Sequence, residues 1–499
     1  MSNNEQNRPH ALMFPYPLQG HVIPFVNLAI KLASKGFKIT FVNTESIHHQ
    51  ISKSRSNETH DDIFAGTRKS GLDVRYVTVS DGFPLGFDRS LNHDQFFEGI
   101  MHVFPAHVDE LVGNLVRDDP TINSLIVDTF YVWPSMIAQK YRLVNTSFFT
   151  EPALVLTMYY HVELLRKHGH FASVENRIDA IDYIPGVKSI LPVDLASYLQ
   201  AKDDTYTTVH RIIYKAFEDA KKADFMICNT IQELEEDTIS ALQEKQPFYS
   251  IGPIFPPGFT KGHVSTSLWP ESDCVQWLKK KPPSSVLYVS FGSYAHTSKR
   301  DIEEIAHGLI LSGVHFIWVL RPDIVSSDEP DFLPDGFEDR IRGRGLIVPW
   351  CSQIQVLTDQ SVGGFLTHCG WNSILESLYC GVPLVCYPLL TDQFTNRKLV
   401  VDDLKIGINL RDENLNLSRN RISEKIKYLM HGDESGEIRK QVKKVKNSLE
   451  NAMGINGSSE ANLNQFIRDL KAKIGEHKGC GFSKKENEGF HLNNFAGNN

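Results

Sequence analysis

Residues 350–393 read WCSQIQVLTDQSVGGFLTHCGWNSILESLYCGVPLVCYPLLTDQ. Phe365-Leu366-Thr367 is a short apolar run suited to a buried strand. His368-Cys369-Gly370 is a tight turn, and Trp371-Asn372-Ser373 opens a helix to about Tyr379. Leu384–Cys386 is a further buried strand. Short apolar strands alternating with helices predict a parallel sheet covered by helices on both faces. The turn at 368–370 also points free backbone N–H groups outward at the positive end of a helix dipole, a ready site for an anion.

The side chains around that turn fit a nucleotide sugar. His368 and Ser373 can donate to phosphate. Glu376, one turn into the helix, can accept from two adjacent hydroxyls such as a ribose diol, and Trp350 can stack on a base. Asp392 and Gln393 suit the hydroxyls of a sugar. Each residue also has a plain structural reading: Trp350 as core, His368 as a turn residue, Asn372 and Ser373 as helix caps, Glu376 as a solvated face. Their joint arrangement favours the nucleotide sugar.

The pattern extends in both directions. Val286–Ser290, Phe316–Leu320, Leu346–Val348 and Gly364–Thr367 read as strands, and Asp301–Leu311 reads as a helix. In the first half, Ala11–Phe14, a loop PYPLQGH, a helix Val22–Ser34 with Gly36 at its end, and a strand Phe37–Val42 make a βαβ unit. Val74–Val79, Ser124–Val127, Thr146–Phe149 and Phe225–Cys228 are further strand candidates. The expected architecture is α/β: two Rossmann-like, doubly wound parallel-sheet domains facing a cleft. The divisions are a first domain 1–250, a Pro- and Gly-rich linker 251–265, a second domain 266–457 that carries the nucleotide-sugar residues, a closing helix 458–474 and a disordered tail 475–499.

Composition narrows the class. The chain has 499 residues, 41% hydrophobic and 22% charged, so it is neither disordered nor collagen-like. A net charge of −8 argues against a nucleic-acid or anionic-membrane partner. Seven cysteines without a Cys-x-x-Cys fit reduced cytosolic thiols rather than a disulfide framework or a zinc site. The N-terminus is polar, unlike a signal peptide, and no apolar run is long enough to span a membrane.

The 44-residue stretch from Trp350 to Gln393 resembles the signature box of plant secondary-product glycosyltransferases. These are inverting, UDP-sugar-dependent hexosyltransferases with a two-domain GT-B fold. Trp350, Gln353, the run His368 to Ser373, Glu376, Gly381-Val382-Pro383 and Asp392-Gln393 are all in register with it. The stretch VSDGFPLGFDRSLNHDQF looks closest to subfamily 86. The resemblance implies that Trp350 stacks on uracil, that the Cys351 backbone bonds its edge, and that Gln353 and Glu376 hold the ribose. It implies diphosphate binding by His368, Asn372, Ser373 and Ser293, and sugar contacts from Trp371, Asp392, Gln393 and Thr150. Gln393 at the end of the box goes with glucose donors. Cys351-Ser352 departs from the commoner Ala-Pro, with little consequence if Cys351 acts through its backbone.

His21 and Asp128 each follow a strand end, and such ends open on one cleft in a doubly wound sheet. They are the expected dyad: His21 deprotonates an acceptor hydroxyl while Asp128 fixes its tautomer. No Asp-x-Asp occurs, so a metal is not expected, and UDP-glucose serves as co-substrate rather than a resident cofactor. The expected acceptor is a small apolar molecule (phenolic, flavonoid or terpenoid), lined by Tyr16, Phe83, Phe87, Phe130, Tyr131, Trp133, Phe149 and Leu389. A cytoplasmic monomer follows from the resemblance. A nicotinamide-dependent oxidoreductase would want Gly-x-Gly-x-x-Gly after a strand, and Gly343–Val348 fails at its third glycine. The remaining alternative, a non-catalytic UDP-sugar-binding protein, predicts loss of His21 or Asp128.

Overall fold

The computed structural model describes residues 8–54, 62–173, 177–200, 207–256, 258–261, 266–325, 332–411, 417–432 and 435–489. Seven strands form the first sheet: β1 (His10–Phe14), β2 (Lys38–Thr44), β3 (Val74–Val79), β4 (Ser124–Asp128), β5 (Val144–Phe149), β6 (Phe225–Cys228) and β7 (Phe248–Ser250). They are all parallel, in the order β3-β2-β1-β4-β5-β6-β7. The second sheet holds β8 (Val286–Ser290), β9 (His315–Val319), β10 (Gly345–Val348), β11 (Val362–Thr367), β12 (Leu384–Cys386) and β13 (Gly407–Asn409). It is parallel too, in the order β10-β9-β8-β11-β12-β13.

Strand order reverses between β1 and β4 in the first sheet and between β8 and β11 in the second. A crevice opens at such a reversal because the crossover helices leave in opposite directions. The residues that follow these four strands therefore build the site. The strands are apolar on both faces, as buried parallel strands must be; β1, β4, β8 and β11 are buried along their whole length.

Four helices frame the cleft and brace the domains: α1 (Gln19–Ser34), α2 (Lys299–Ser312), α3 (Trp371–Cys380) and α4 (Ser458–Gly489). Helix α1 begins at Gln19, three residues before the expected Val22, so His21 lies in its first turn rather than in a loop. Gly36 takes φ +92° just beyond its end, a conformation that suits glycine. The three-residue edge strands β7 and β13 were not expected, because so short a run carries no periodic signal.

Helix α4 packs on the first sheet. Leu463, Phe466 and Leu470 are buried with Phe25, Phe148 and Phe225. Tyr249 Oη donates to Asp469 Oδ2 at 2.7 Å, and Asn462 Nδ2 donates to the Ser250 carbonyl at 3.0 Å. The expected stop at 474 is corrected: helical backbone continues to Gly489, since a docked helix can be extended without the cost of a new nucleus. Residues 490–499 of the expected tail, and 257 and 262–265 of the expected linker, lie outside the described residues. Among the described residues no helix is long and apolar enough to cross a membrane.

Candidate active site

A cavity of about 760 Å³ lies between the carboxyl ends of the two sheets. That is large enough for a nucleotide sugar and part of an acceptor. Thr150, Ser293, Trp350, Cys351, Gln353, His368, Trp371, Asn372, Ser373, Glu376, Asp392 and Gln393 all line it, as does His21.

On the first-sheet side, β1 leads into α1 and places His21 beside the end of β4. His21 Nδ1 lies 2.8 Å from Asp128 Oδ2, and the Asp128 side chain is almost fully buried behind it. The other carboxylate oxygen accepts from the Phe130 backbone at 3.1 Å, which locks its orientation. A carboxylate oxygen can only accept, so Nδ1 carries the proton and Nε2 is left with its lone pair. Thr150 Oγ1 lies 3.2 Å from the same Nδ1, so this hydroxyl serves the imidazole as well as facing the cavity.

One backbone feature ties this side to the other. Pro24 sits inside α1 and has no N–H to give the carbonyl of Gly20, four residues back. That carbonyl accepts instead from Asn372 Nδ2 across the cleft, at 2.6 Å. Asn372, expected on the diphosphate, thus also spans from α3 to the residue before His21.

On the second-sheet side, β11 ends in the turn that opens α3. Gly370 caps α3 with extended backbone and no side-chain cap, so the first N–H groups of a ten-residue helix face the cavity unblocked. Two glycines make room for His368. A Cβ on Gly292 would lie 2.4 Å from His368 Nε2, and one on Gly370 would lie 2.5 Å from it. Burial, then the nearby Arg321 guanidinium, hold the His368 imidazole down at about 4. It is neutral here, with one ring N–H that it can donate.

Arg321 has a role that the sequence did not signal. It is 1% exposed, and its guanidinium donates to the carbonyls of Gly292 and Ala295, each at 2.7 Å. It therefore shapes the loop that carries Ser293. No local motif marks it; only its burial and these two bonds do.

The residues expected on the ribose are bonded to one another. Gln353 Nε2 donates to Glu376 Oε2 at 2.9 Å and to Ser373 Oγ at 3.0 Å. Burial pushes the Glu376 carboxyl up to about 7, and the Gln353 bond offsets part of that shift. The ring of Trp350 packs against Trp269 with centroids 4.7 Å apart at 31°. Trp371 lines the cavity and also bolts the two domains together: it is 3% exposed and Nε1 donates to the Asn229 carbonyl at 2.7 Å.

Asp392 accepts from Thr391 Oγ1 at 2.7 Å and from Asn396 Nδ2 at 2.5 Å. Gln393 Oε1 accepts from the Leu389 and Leu390 backbones at 2.9 and 3.0 Å, which leaves its amide nitrogen as the group it can offer a ligand. Thr391, next to Asp392, has φ +56°, a strained backbone for a β-branched residue. Ser197 of the first domain holds it there: its Oγ accepts from Thr391 N at 2.8 Å and its N–H donates to Thr391 O at 2.9 Å.

The acceptor candidates fare differently. Tyr16 and Phe130 line the cavity; Phe83, Phe87, Tyr131, Trp133, Phe149 and Leu389 do not. Tyr131, Trp133 and Phe149 are core, filling the space between β1, β4 and the surrounding helices. Phe83 and Phe87 stack on each other, centroids 4.5 Å apart, against the helix His93–His102. Leu389 packs in the second domain's core, while its neighbour Leu390 reaches the cavity. Their places are taken by Phe97, Glu151, Tyr159, Tyr198, Ile213 and Tyr294. Glu151 and Tyr294 were within reach of the sequence, each one residue past a named position. Tyr198 and Ile213 were not, since tertiary folding alone brings them in.

Comparison with known proteins agrees with this geometry. Residues 272–434 match the family described as UDP-glucoronosyl and UDP-glucosyl transferase. The chain is 62% identical over 485 residues to UDP-glycosyltransferase 86A1 of Arabidopsis thaliana, covering 96% of this chain and 98% of that one. It is 59% identical over 472 residues to UDP-glycosyltransferase 86A2 of the same plant, covering 94% and 96%. Among solved structures it is similar to Phytolacca americana UGT2 complexed with UDP-2fluoro-glucose and pterostilbene. The TM-score there is 0.75 at 27% identity, covering 93% of this chain and 99% of that one.

Proposed function

The chain belongs to the UDP-glycosyltransferases, alongside 86A1 and 86A2, and from that premise we propose that it moves glucose from UDP-glucose to a hydroxyl of a small metabolite, a phenolic, flavonoid or terpenoid, with inversion. The observation that carries this reading is the pair His21–Asp128, with Nδ1 2.8 Å from the carboxylate and the imidazole on the wall of the cavity that the signature box also lines.

The acceptor O–H gives its proton to His21 Nε2 as its oxygen attacks the anomeric carbon. The C1–O bond to UDP breaks, and an α-linked donor becomes a β-O-glucoside. Asp128 stabilises the imidazolium that forms. Charge growing on the β-phosphate meets the open N-terminus of α3, with N–H or O–H donors from His368, Ser373 and Ser293. We read this as displacement without a metal. Uracil stacks on Trp350, the ribose diol binds Glu376 and Gln353, and the sugar hydroxyls reach Asp392 and the Gln393 amide. The solved relative complexed with UDP-2fluoro-glucose and pterostilbene supports a nucleotide sugar and a small aromatic acceptor in one cleft. Cys228, Cys274, Cys351, Cys369, Cys380 and Cys386 are free, which suits a reducing cytoplasm, and a monomer is the state the resemblance implies.

The test is incubation with UDP-glucose and a panel of hydroxylated small molecules, with products read by mass. A gain of one hexose, with UDP released, is the expected result. UDP-glucose binding without transfer to any member would favour a sugar-nucleotide-binding protein instead.

A further inference from the structure

Five residues that line this cavity carry a buried polar atom without a hydrogen-bond partner: Gln19 Oε1, His368 Nδ1, the hydroxyls of Tyr16 and Tyr294, and Oε2 of Glu151; Gln19 opens α1 and His368 stands on the diphosphate side, which leaves Tyr16, Tyr294 and Glu151 on the acceptor side. An unpartnered buried polar atom is costly, and native proteins keep few of them. Three on the acceptor side of one cavity, beside the base, mark a surface that a ligand completes.

The three atoms come from different parts of the fold. Tyr16 follows β1, is 3% exposed, and has its ring centroid 5.6 Å from that of His21. Glu151 follows Thr150 beyond the end of β5, and its backbone is held in place where its carbonyl accepts from Cys228 Sγ at 3.3 Å. Burial first, then the like charges of Asp392 and Asp128, push its carboxyl well above the usual carboxylate range, which favours the form that carries an O–H. Tyr294 comes from the other domain, on the loop that Arg321 braces at Gly292 and Ala295; its ring lies 6.1 Å from that of His93. Apolar Phe97, Phe130 and Ile213 also line the cavity. The wall is thus an apolar slot with separate polar points, not the uniformly apolar lining that an acceptor with a single hydroxyl would need.

We infer that the acceptor carries at least two hydroxyl or carbonyl groups besides the one that receives the sugar, and that Tyr16, Glu151 and Tyr294 recognise them. This rests on the glycosyltransferase reading of the same cavity and adds the substrate class. A site built to pair with a substrate hydroxyl rejects an analogue lacking it, because its own polar group is then left buried and bare.

The experiment measures binding and transfer separately. Acceptor affinity is measured on the UDP-saturated protein for stilbene, flavonol and cyclic polyol series in which hydroxyls are replaced by hydrogen one at a time. The expected result is that each lost hydroxyl weakens binding to wild type about ten- to a hundredfold. Tyr16→Phe, Tyr294→Phe and Glu151→Leu should each remove the penalty for one particular hydroxyl and leave the others. Glu151→Gln, which keeps an N–H donor, should retain it. UDP affinity and the KM for UDP-glucose should stay within about twofold in the two Tyr→Phe variants and Glu151→Gln.

The inference is overturned if a monohydroxy member binds as tightly as its parent, if no polyhydroxylated member binds, or if the variants weaken all members alike. It is overturned for Glu151 if Glu151→Gln changes only the KM for UDP-glucose, since that carboxyl would then serve the donor sugar. The expected binding pattern without any hexose transfer would stand against the glycosyltransferase reading and leave the recognition of a polyhydroxylated ligand in place.

Discussion

The two walls of the cleft are built in opposite ways. On the donor wall, nearly every expected residue comes from one continuous stretch, Trp350–Gln393, with Ser293 and Thr150 added from strand ends. On the acceptor wall, residues come from after β1, from the helix His93–His102, from after β4, from after β5, from 198–213 and from the second domain's Tyr294. A strand-turn-helix unit carries its ligand geometry in its own backbone, so it can be read locally. A pocket assembled from six places has no geometry until the chain folds.

The sharpest way to break this contrast is at the base, which links the walls. His21→Ala should lower kcat about a thousandfold, within the span of general-base catalysis, and leave UDP-glucose affinity within about twofold. Single-turnover transfer and calorimetric binding check it. A matching loss of donor affinity would mean that the walls are not separable.

Gly292→Ala tests the donor wall where it is tightest. The new Cβ meets the His368 ring, and the φ of +73° disfavours any side chain, so donor affinity should fall about ten- to a hundredfold. Titration with UDP reads this. Trp350→Ala should raise the donor KM about tenfold, at the lower part of the range for a base stacked on an aromatic ring, with little change in the acceptor KM. An unchanged donor KM would remove the stacking role.

The pH dependence originates at Glu376. Its folded value, about 7, lies above the ordinary 4.5, so ionising it costs folding stability as pH rises through that interval. Donor binding runs the other way, because the ribose diol donates to the ionised form. UDP affinity should weaken by up to about tenfold per pH unit as pH falls below about 7, and Glu376→Gln should flatten that slope. The smallest effect is the negative one: Phe87→Leu should leave acceptor kinetics within about twofold, because its ring stacks on Phe83 outside the cavity. A large change there would restore Phe87 to the acceptor wall.

Legibility followed the same division. Strands such as β3, β6, β8 and β12 were bounded to the residue by apolar runs between turn signals. The edge strands β7 and β13 were missed because three residues show no alternation. The tail as far as Gly489 differs for another reason: its Gly- and Lys-rich composition argues for disorder, yet its backbone continues a helix already anchored by Leu463, Phe466 and Leu470. Of the acceptor aromatics, Tyr16 and Phe130 line the cavity and the other five do not, because a ring in a loop beside a strand end can point inward or outward, and packing decides which. Trp133, nearly fully buried against Phe14 and Tyr131, went into the core.

Local sequence set the two parallel sheets, the turn at 368–370 that opens α3, the place of Glu376 on the cavity wall and the positions of His21 and Asp128, since each follows from backbone geometry within a few residues or from position at a strand end. Tertiary structure alone decided that Asn372 would meet the carbonyl freed by Pro24, that Arg321 would brace the Ser293 loop, and that Ser197 would hold Thr391 in a strained turn. It also decided which polar groups would be left bare beside His21. Those contacts join residues from 26 to 352 positions apart, and no local pattern encodes a partner at that distance.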